Sequence, residues 1–70
     1  MADICAHITG TVWKIQVNEG DQVEEEQSVL ILESMKMEMP VEAPQAGRVA
    51  KIQVVEGQAV DEDDVLMTLE

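Results

Sequence analysis

The sequence matches itself. Displaced by 37 positions, Ala6 through Glu33 fall on Ala43 through Glu70 without a gap, and 13 of the 28 aligned pairs are identical by direct count. The densest run sets Gly10-Thr11-Val12-Trp13-Lys14-Ile15-Gln16-Val17-Asn18-Glu19-Gly20 on Gly47-Arg48-Val49-Ala50-Lys51-Ile52-Gln53-Val54-Val55-Glu56-Gly57. A unit of roughly 35 residues cannot bury its own apolar face, so the two copies must bury theirs against each other about an approximate two-fold axis. A chain of 70 residues leaves room for one domain, residues 1–70, with one modest core.

Each copy reads as β-structure, because β-branched residues alternate with polar ones and Glu-Gly followed by acidic or amide residues marks the turns. Strands are expected at 2–8, 11–18, 22–24, 28–34, 37–43, 47–54, 59–61 and 65–70, with no helix. Eight short strands close into a small two-sheet sandwich or flattened barrel. Val12 is out of phase with Ile15 and Val17, as Val49 is with Ile52 and Val54; a bulge or bend at Gly10 and Gly47 would restore the phase. Between the copies, Ser34-Met35-Lys36-Met37 contains no Gly, Asn, Asp or Pro, and only the repeat places a hairpin there. A tight turn on Met35-Lys36 would hold non-glycine residues in disfavoured backbone regions, at about 1–3 kcal/mol each. The counterpart of Lys36 falls beyond Glu70, so the tip is unique, with the two ends of the chain expected at the other end of the domain.

Charge narrows the function classes. Fifteen acidic residues against four basic ones give a net charge of -11, which repels nucleic acid and anionic membranes and suits basic protein surfaces. Trp13 is the sole aromatic, so the core is aliphatic and there is no base-stacking platform; opposite Ala50 in the repeat, it reads as core or half-buried packing. Cys5 is the single cysteine, which excludes an internal disulfide and a thiolate zinc site. His7 has no companion histidine, and the acidic clusters Glu24-Glu25-Glu26 and Asp61-Glu62-Asp63-Asp64 lack calcium-loop spacing and recur at matching turns, so no metal is expected. The opening Met1-Ala2-Asp3-Ile4 has neither a basic region nor an apolar run, which together with the lone cysteine leads to the expectation of a monomeric cytoplasmic module. A catalytic constellation with its supporting shell is hard to build at this size, so a carrier or binding module is the expected class.

The remaining candidate is Lys36 within Glu33-Ser34-Met35-Lys36-Met37-Glu38. Lysine on a turn is ordinarily a solvated charge; between two matching halves and two methionines it stands out. Met35, Met37 and Met39 share one parity, which for Met39 reads as a strand face in the core and for Met35 and Met37 as an adaptable apolar contact. Glu33 and Glu38 bracket the lysine without the pocket that acid–base chemistry needs.

This hexapeptide resembles the Met-Lys-Met biotinylation motif of the biotin carboxyl carrier family. Gly10-Thr11-Val12, the turns Glu19-Gly20 and Glu56-Gly57, and Ala43-Pro44 before Gly47 are also placed as in that family, so the resemblance covers essentially the whole chain. It implies an all-β, flattened antiparallel barrel-sandwich hybrid of two four-stranded sheets, with the modified lysine on an exposed hairpin. It further implies that biotin protein ligase joins biotin to Lys36, with Met35 and Met37 as flanking recognition residues and Ser34, Glu33 and Glu38 as ligase contacts. The implied role is to carry carboxybiotin between biotin carboxylase and carboxyltransferase sites, the carrier itself catalysing nothing. The absence of any insertion after Gly10-Thr11 resembles the thumbless, minimal members. The family commonly has glycine at the positions of Glu26 and Asp63, and a left-handed turn there suits Asp better than Glu, so strain or rebuilding is expected at Glu26. The rival classes are a lipoyl carrier, whose lysine usually sits in Asp-Lys-Ala, and an unmodified interaction module.

Overall fold

The computed structural model describes residues 2–70. Eight strands form: β1 (Ala2–Cys5), β2 (Gly10–Ile15), β3 (Gln22–Val23), β4 (Ser28–Ser34), β5 (Met37–Glu42), β6 (Gly47–Ile52), β7 (Ala59–Val60) and β8 (Val65–Leu69). They make two four-stranded antiparallel sheets, ordered β1-β8-β6-β3 and β5-β4-β2-β7. Exchanging β1–β4 for β5–β8 turns one order into the other. Each sheet therefore takes strands from both copies of the repeat, and neither copy has a sheet of its own.

The core follows the same rule. Its sixteen buried apolar residues resolve into eight pairs 37 positions apart: Ile4 and Val41, Ala6 and Ala43, Val12 and Val49, Val17 and Val54, Val23 and Val60, Val29 and Leu66, Leu30 and Met67, Leu32 and Leu69. Where a pair differs, the exchange is aliphatic, which a core tolerates at small cost. Among the described residues no polar side chain is buried.

The phase break lies later than the glycines. Val12 pairs with Leu32 but Lys14 with Ile31, so Trp13 is the extra residue; Val49 pairs with Leu69 but Lys51 with Thr68, so Ala50 is its counterpart. The bulge turns Trp13 outward, and at 46% exposure it is not a core residue but the less buried of the two placements read from its position opposite Ala50. Past each bulge, a glutamate of the other half takes the freed amide. Ile15 N–H donates to Glu56 Oε2 and Ile52 N–H to Glu19 Oε2, both at 2.9 Å.

The glycines meet a different requirement, close approach. A Cβ on Gly10 would lie 2.6 Å from the backbone oxygen of Glu33, and one on Gly47 would lie 3.1 Å from that of Glu70.

The remaining differences from the expected strands have local causes. β1 stops at Cys5 rather than residue 8, because the chain bends at Ala6, whose amide and carbonyl pair with Asp64 O and Asp63 N of the turn before β8. Ala43 does the same with Gln27 and Glu26. β2 and β6 stop at Ile15 and Ile52, since the chain then crosses to the other sheet, where Gly20 N–H reaches Val49 O and Gly57 N–H reaches Val12 O. The acidic clusters are turn-formers: Asp64 Oδ2 accepts from Asp61 N–H as Gln27 Oε1 does from Glu24 N–H. Glu26 keeps the left-handed conformation at φ 68°, close to Asp63 at φ 74°, so the turn is strained rather than rebuilt.

Removing either bridging carboxylate, by Glu19→Ala or Glu56→Ala, is expected to lower stability by on the order of 1 kcal/mol in denaturant unfolding. Gly10→Ala should cost about 2–3 kcal/mol and Gly47→Ala about 1, because a Cβ meets backbone oxygen at 2.6 Å in the former and only at 3.1 Å in the latter. Equal losses for the two glycine variants would contradict this account.

Candidate functional site

The two halves meet at the β4–β5 hairpin. Its register runs Leu30↔Val41, Ile31↔Pro40, Leu32↔Met39, Glu33↔Glu38 and Ser34↔Met37, leaving Met35 and Lys36 as a two-residue turn. Both have positive φ, 53° and 64°, the sense of the primed turns whose twist matches that of the flanking strands. Asn and Gly usually occupy such turns, which is why local sequence gives no sign of this one. Six of the described residues have positive φ; Gly20 pairs with Gly57 and Glu26 with Asp63 across the repeat, and the tip alone supplies the other two.

The root of the hairpin is anchored and its end is bare. Leu30 and Leu32 are fully buried and Val41 is 3% exposed, whereas exposure reaches 61% at Met37 and 92% at Met35. Met39, expected in the core, is half-buried at the transition and is not part of the core cluster. Gly10 lies directly under the hairpin, against Glu33 and the half-buried Ser34. A side chain there would push β4 away, and the tip with it.

Lys36 is exposed, and the one ion pair among the described residues is Arg48–Glu70, at 2.6 Å. Its amine is thus not neutralised by any carboxylate of the chain. Glu33 and Glu38 are exposed and directly opposed across the hairpin, an arrangement that costs a few tenths of a kcal/mol or more. The repeat makes this notable: Glu70, the counterpart of Glu33, is held by Arg48, whereas Glu33 faces Thr11. His7 lies exposed in the bend after β1, away from the hairpin strands.

No cavity is present among the described residues. The tip presents one amine, that of Lys36. All six residues singled out in the sequence, Glu33 through Glu38, are brought together here. Unread in the sequence were the steric demand on Gly10 and the glutamates that cross between halves. The recurrence of Glu19 at Glu56 was the available sign of the latter.

Comparison with known proteins gives a consistent picture. The sequence family described as Biotin-requiring enzyme matches residues 1–69. The "Biotin/lipoyl attachment protein" of Bacillus subtilis is 46% identical over 66 residues, covering 94% of this chain and 90% of that one. The "Biotinylated protein TB7.3" of Mycobacterium tuberculosis is 51% identical over 39 residues, 56% of this chain and 55% of that protein. Among solved structures, the urea carboxylase of Kluyveromyces lactis superposes with a TM-score of 0.93 at 35% identity over 99% of this chain, which spans only 6% of the enzyme.

The strain at the tip is measurable by itself. Met35→Asn supplies a residue that accepts positive φ and is expected to raise stability by about 1 kcal/mol in denaturant unfolding. An unchanged or lowered midpoint would show that the turn is relaxed.

Proposed function

The chain belongs to the biotin/lipoyl attachment family, and from that premise we propose that Lys36 is the attachment residue, joined through Nζ to the carboxyl group of biotin. The observation that carries this reading is the two-residue turn, which presents one unneutralised amine at the end of a hairpin rooted in the core. Between the two cofactors the family accommodates, Met35-Lys36-Met37 and the biotinylated relative favour biotin. The lipoyl reading keeps the same lysine, as the name of the Bacillus subtilis relative allows, and an intact mass separates the two adducts.

The chain's own part is positional. An exposed ammonium must lose a proton before it attacks an activated carboxyl, and no imidazole lies on the hairpin, so a biotin protein ligase would supply both deprotonation and placement. Met35 and Met37 offer it unbranched, polarisable contacts, and Glu33 and Glu38 offer it negative charge without a competing cation. Biotin held at Lys36 supplies the carboxyl-group chemistry. The domain then serves as the tether between a biotin carboxylase and a carboxyltransferase in the cytoplasm, raising the effective concentration of the group at each site. Its part in the relay is to carry and position the attached group.

Co-expression with a biotin protein ligase is expected to add one biotin per chain, on Lys36 by peptide mapping, and Lys36→Arg should abolish streptavidin binding. The stricter test moves the amine. Met35→Lys with Lys36→Met relocates it within the turn, and Met37→Lys with Lys36→Met places it on β5. Both keep composition and charge, and a displacement of about 1 Å can cost a hundredfold in rate. Ligation should therefore fall at least a hundredfold in each, as followed by streptavidin gel shift; efficient modification of either would show that the ligase reads flexible sequence, not a shaped tip.

A further inference from the structure

Among the described residues the exposed large hydrophobic ones are Trp13, Met35, Met37, Val55 and Val65. Two belong to the tip. The other three stand at positions where the other copy of the repeat has something smaller or polar: Trp13 against Ala50, Val55 against Asn18, Val65 against Ser28. The repeat acts as an internal control, because the same backbone is built in the other half without these apolar groups. The fold does not require them, and what marks them is that Trp13 and Val55 sit on neighbouring segments rather than singly.

Trp13 and Val55 belong to one surface. The Val55–Gln58 turn is bonded to β2 on both sides of its chain, Gly57 N–H to Val12 O at 2.7 Å and Val12 N–H to Gln58 O at 2.8 Å. Glu56 reaches Ile15 N–H from the same turn. The turn thus lies along the bulge that carries Trp13, in the sheet that also bears the tip. From Gly10, under the hairpin, Trp13 is three residues along β2, about 10 Å. A standard interface covers about 800 Å² per partner, a patch roughly 30 Å across. The longest extent of the domain is 31 Å, so a partner of that size seated on the face beside the tip can reach Trp13 as well.

We infer that Trp13, with Val55 beside it, is the docking surface for the biotin carboxylase that the carrier serves. This rests on the attachment of biotin at Lys36. Charge selects the class of occupant. With 15 acidic residues, four basic ones and Arg48 already paired, the surface repels a second copy of itself and complements a basic protein face with an apolar recess. Geometry selects the partner among such proteins. A ligase acts on the amine of Lys36 itself and can find it through the tip, whereas the carboxylase reaction takes place at the far end of the attached group, which tip residues do not position. The body of the domain must hold the register, and a single large aromatic is the usual anchor for that.

The test uses the variants that the repeat has already shown to be compatible with the backbone, Trp13→Ala and Val55→Asn, in biotinylated chains. In ATP- and bicarbonate-dependent carboxylation by the biotin carboxylase of the source cell, Trp13→Ala is expected to raise KM for the carrier at least tenfold. kcat should stay within twofold, and the ligation rate should not move. A second readout needs no biotin: labelled with 5-fluorotryptophan, the Lys36→Arg chain has one fluorine resonance, since Trp13 is the only tryptophan. Adding biotin carboxylase should shift or broaden it, so failure of docking is separable from failure of attachment. An unchanged KM, an unmoved resonance, a KM effect confined to the ligase, or a dimer in sedimentation that Trp13→Ala dissolves would each overturn the inference.

Discussion

Everything in this molecule depends on the ladder between strands of different halves. β8 lies between β1 and β6, and β4 lies between β5 and β2. The most buried strands of each sheet therefore gain hydrogen bonds and apolar cover from both copies of the repeat. At 70 residues a single-layer arrangement would leave too little area out of water, and the interleaving answers this by letting sixteen small aliphatic side chains close on one another with no polar group among them. The crossing glutamates repeat the logic on the surface. Each bulge frees an amide in one half, and the carboxylate that takes it comes from the other.

Against that symmetry the functional surface is the residue left over. Backbone strain occurs in pairs everywhere but at Met35 and Lys36. Ion pairing holds Glu70 but not Glu33, and each exposed large apolar side chain outside the tip stands where the other copy has a smaller or polar residue. A near-duplicate built into the same chain separates what the fold requires from what it merely permits. That comparison usually needs an alignment of many sequences; here it needs only the two halves.

Much of this was legible in the sequence. The 37-residue repeat located all eight strands, the core parity and the hairpin at Lys36, because hydrophobic alternation and internal symmetry are both carried by side-chain identity. What escaped has a common physical cause: it depends on where backbone meets backbone. The bulge at Trp13 rather than Gly10 is a matter of hydrogen-bond register, which leaves the alternation of side chains equally broken at either place. The need for glycine at position 10 arises from a carbonyl 23 residues away in the chain. Trp13 was legible as core or half-buried packing, and the bulge that leaves it unpaired with β4 settles it at 46% exposure. Met39 failed for a related reason, since parity gives the face of a strand but not how far the core extends along it.

The position of β8 also governs the order in which this domain can be made. It is the next-to-last strand across its sheet and the last along the chain, so β1 and β6 have no neighbour to bridge them until Val65–Leu69 have been synthesised. Leu66, Met67 and Leu69 complete a core that the other sheet shares. On a ribosome, the hairpin with Lys36 emerges at mid-synthesis, yet its root has nothing to rest on. The acquisition of structure is thus late and all at once, with the high contact order of a chain whose first and last strands are partners. A truncated product would lack not the lysine but the rigid foundation that presents it, so incomplete chains are silent by construction.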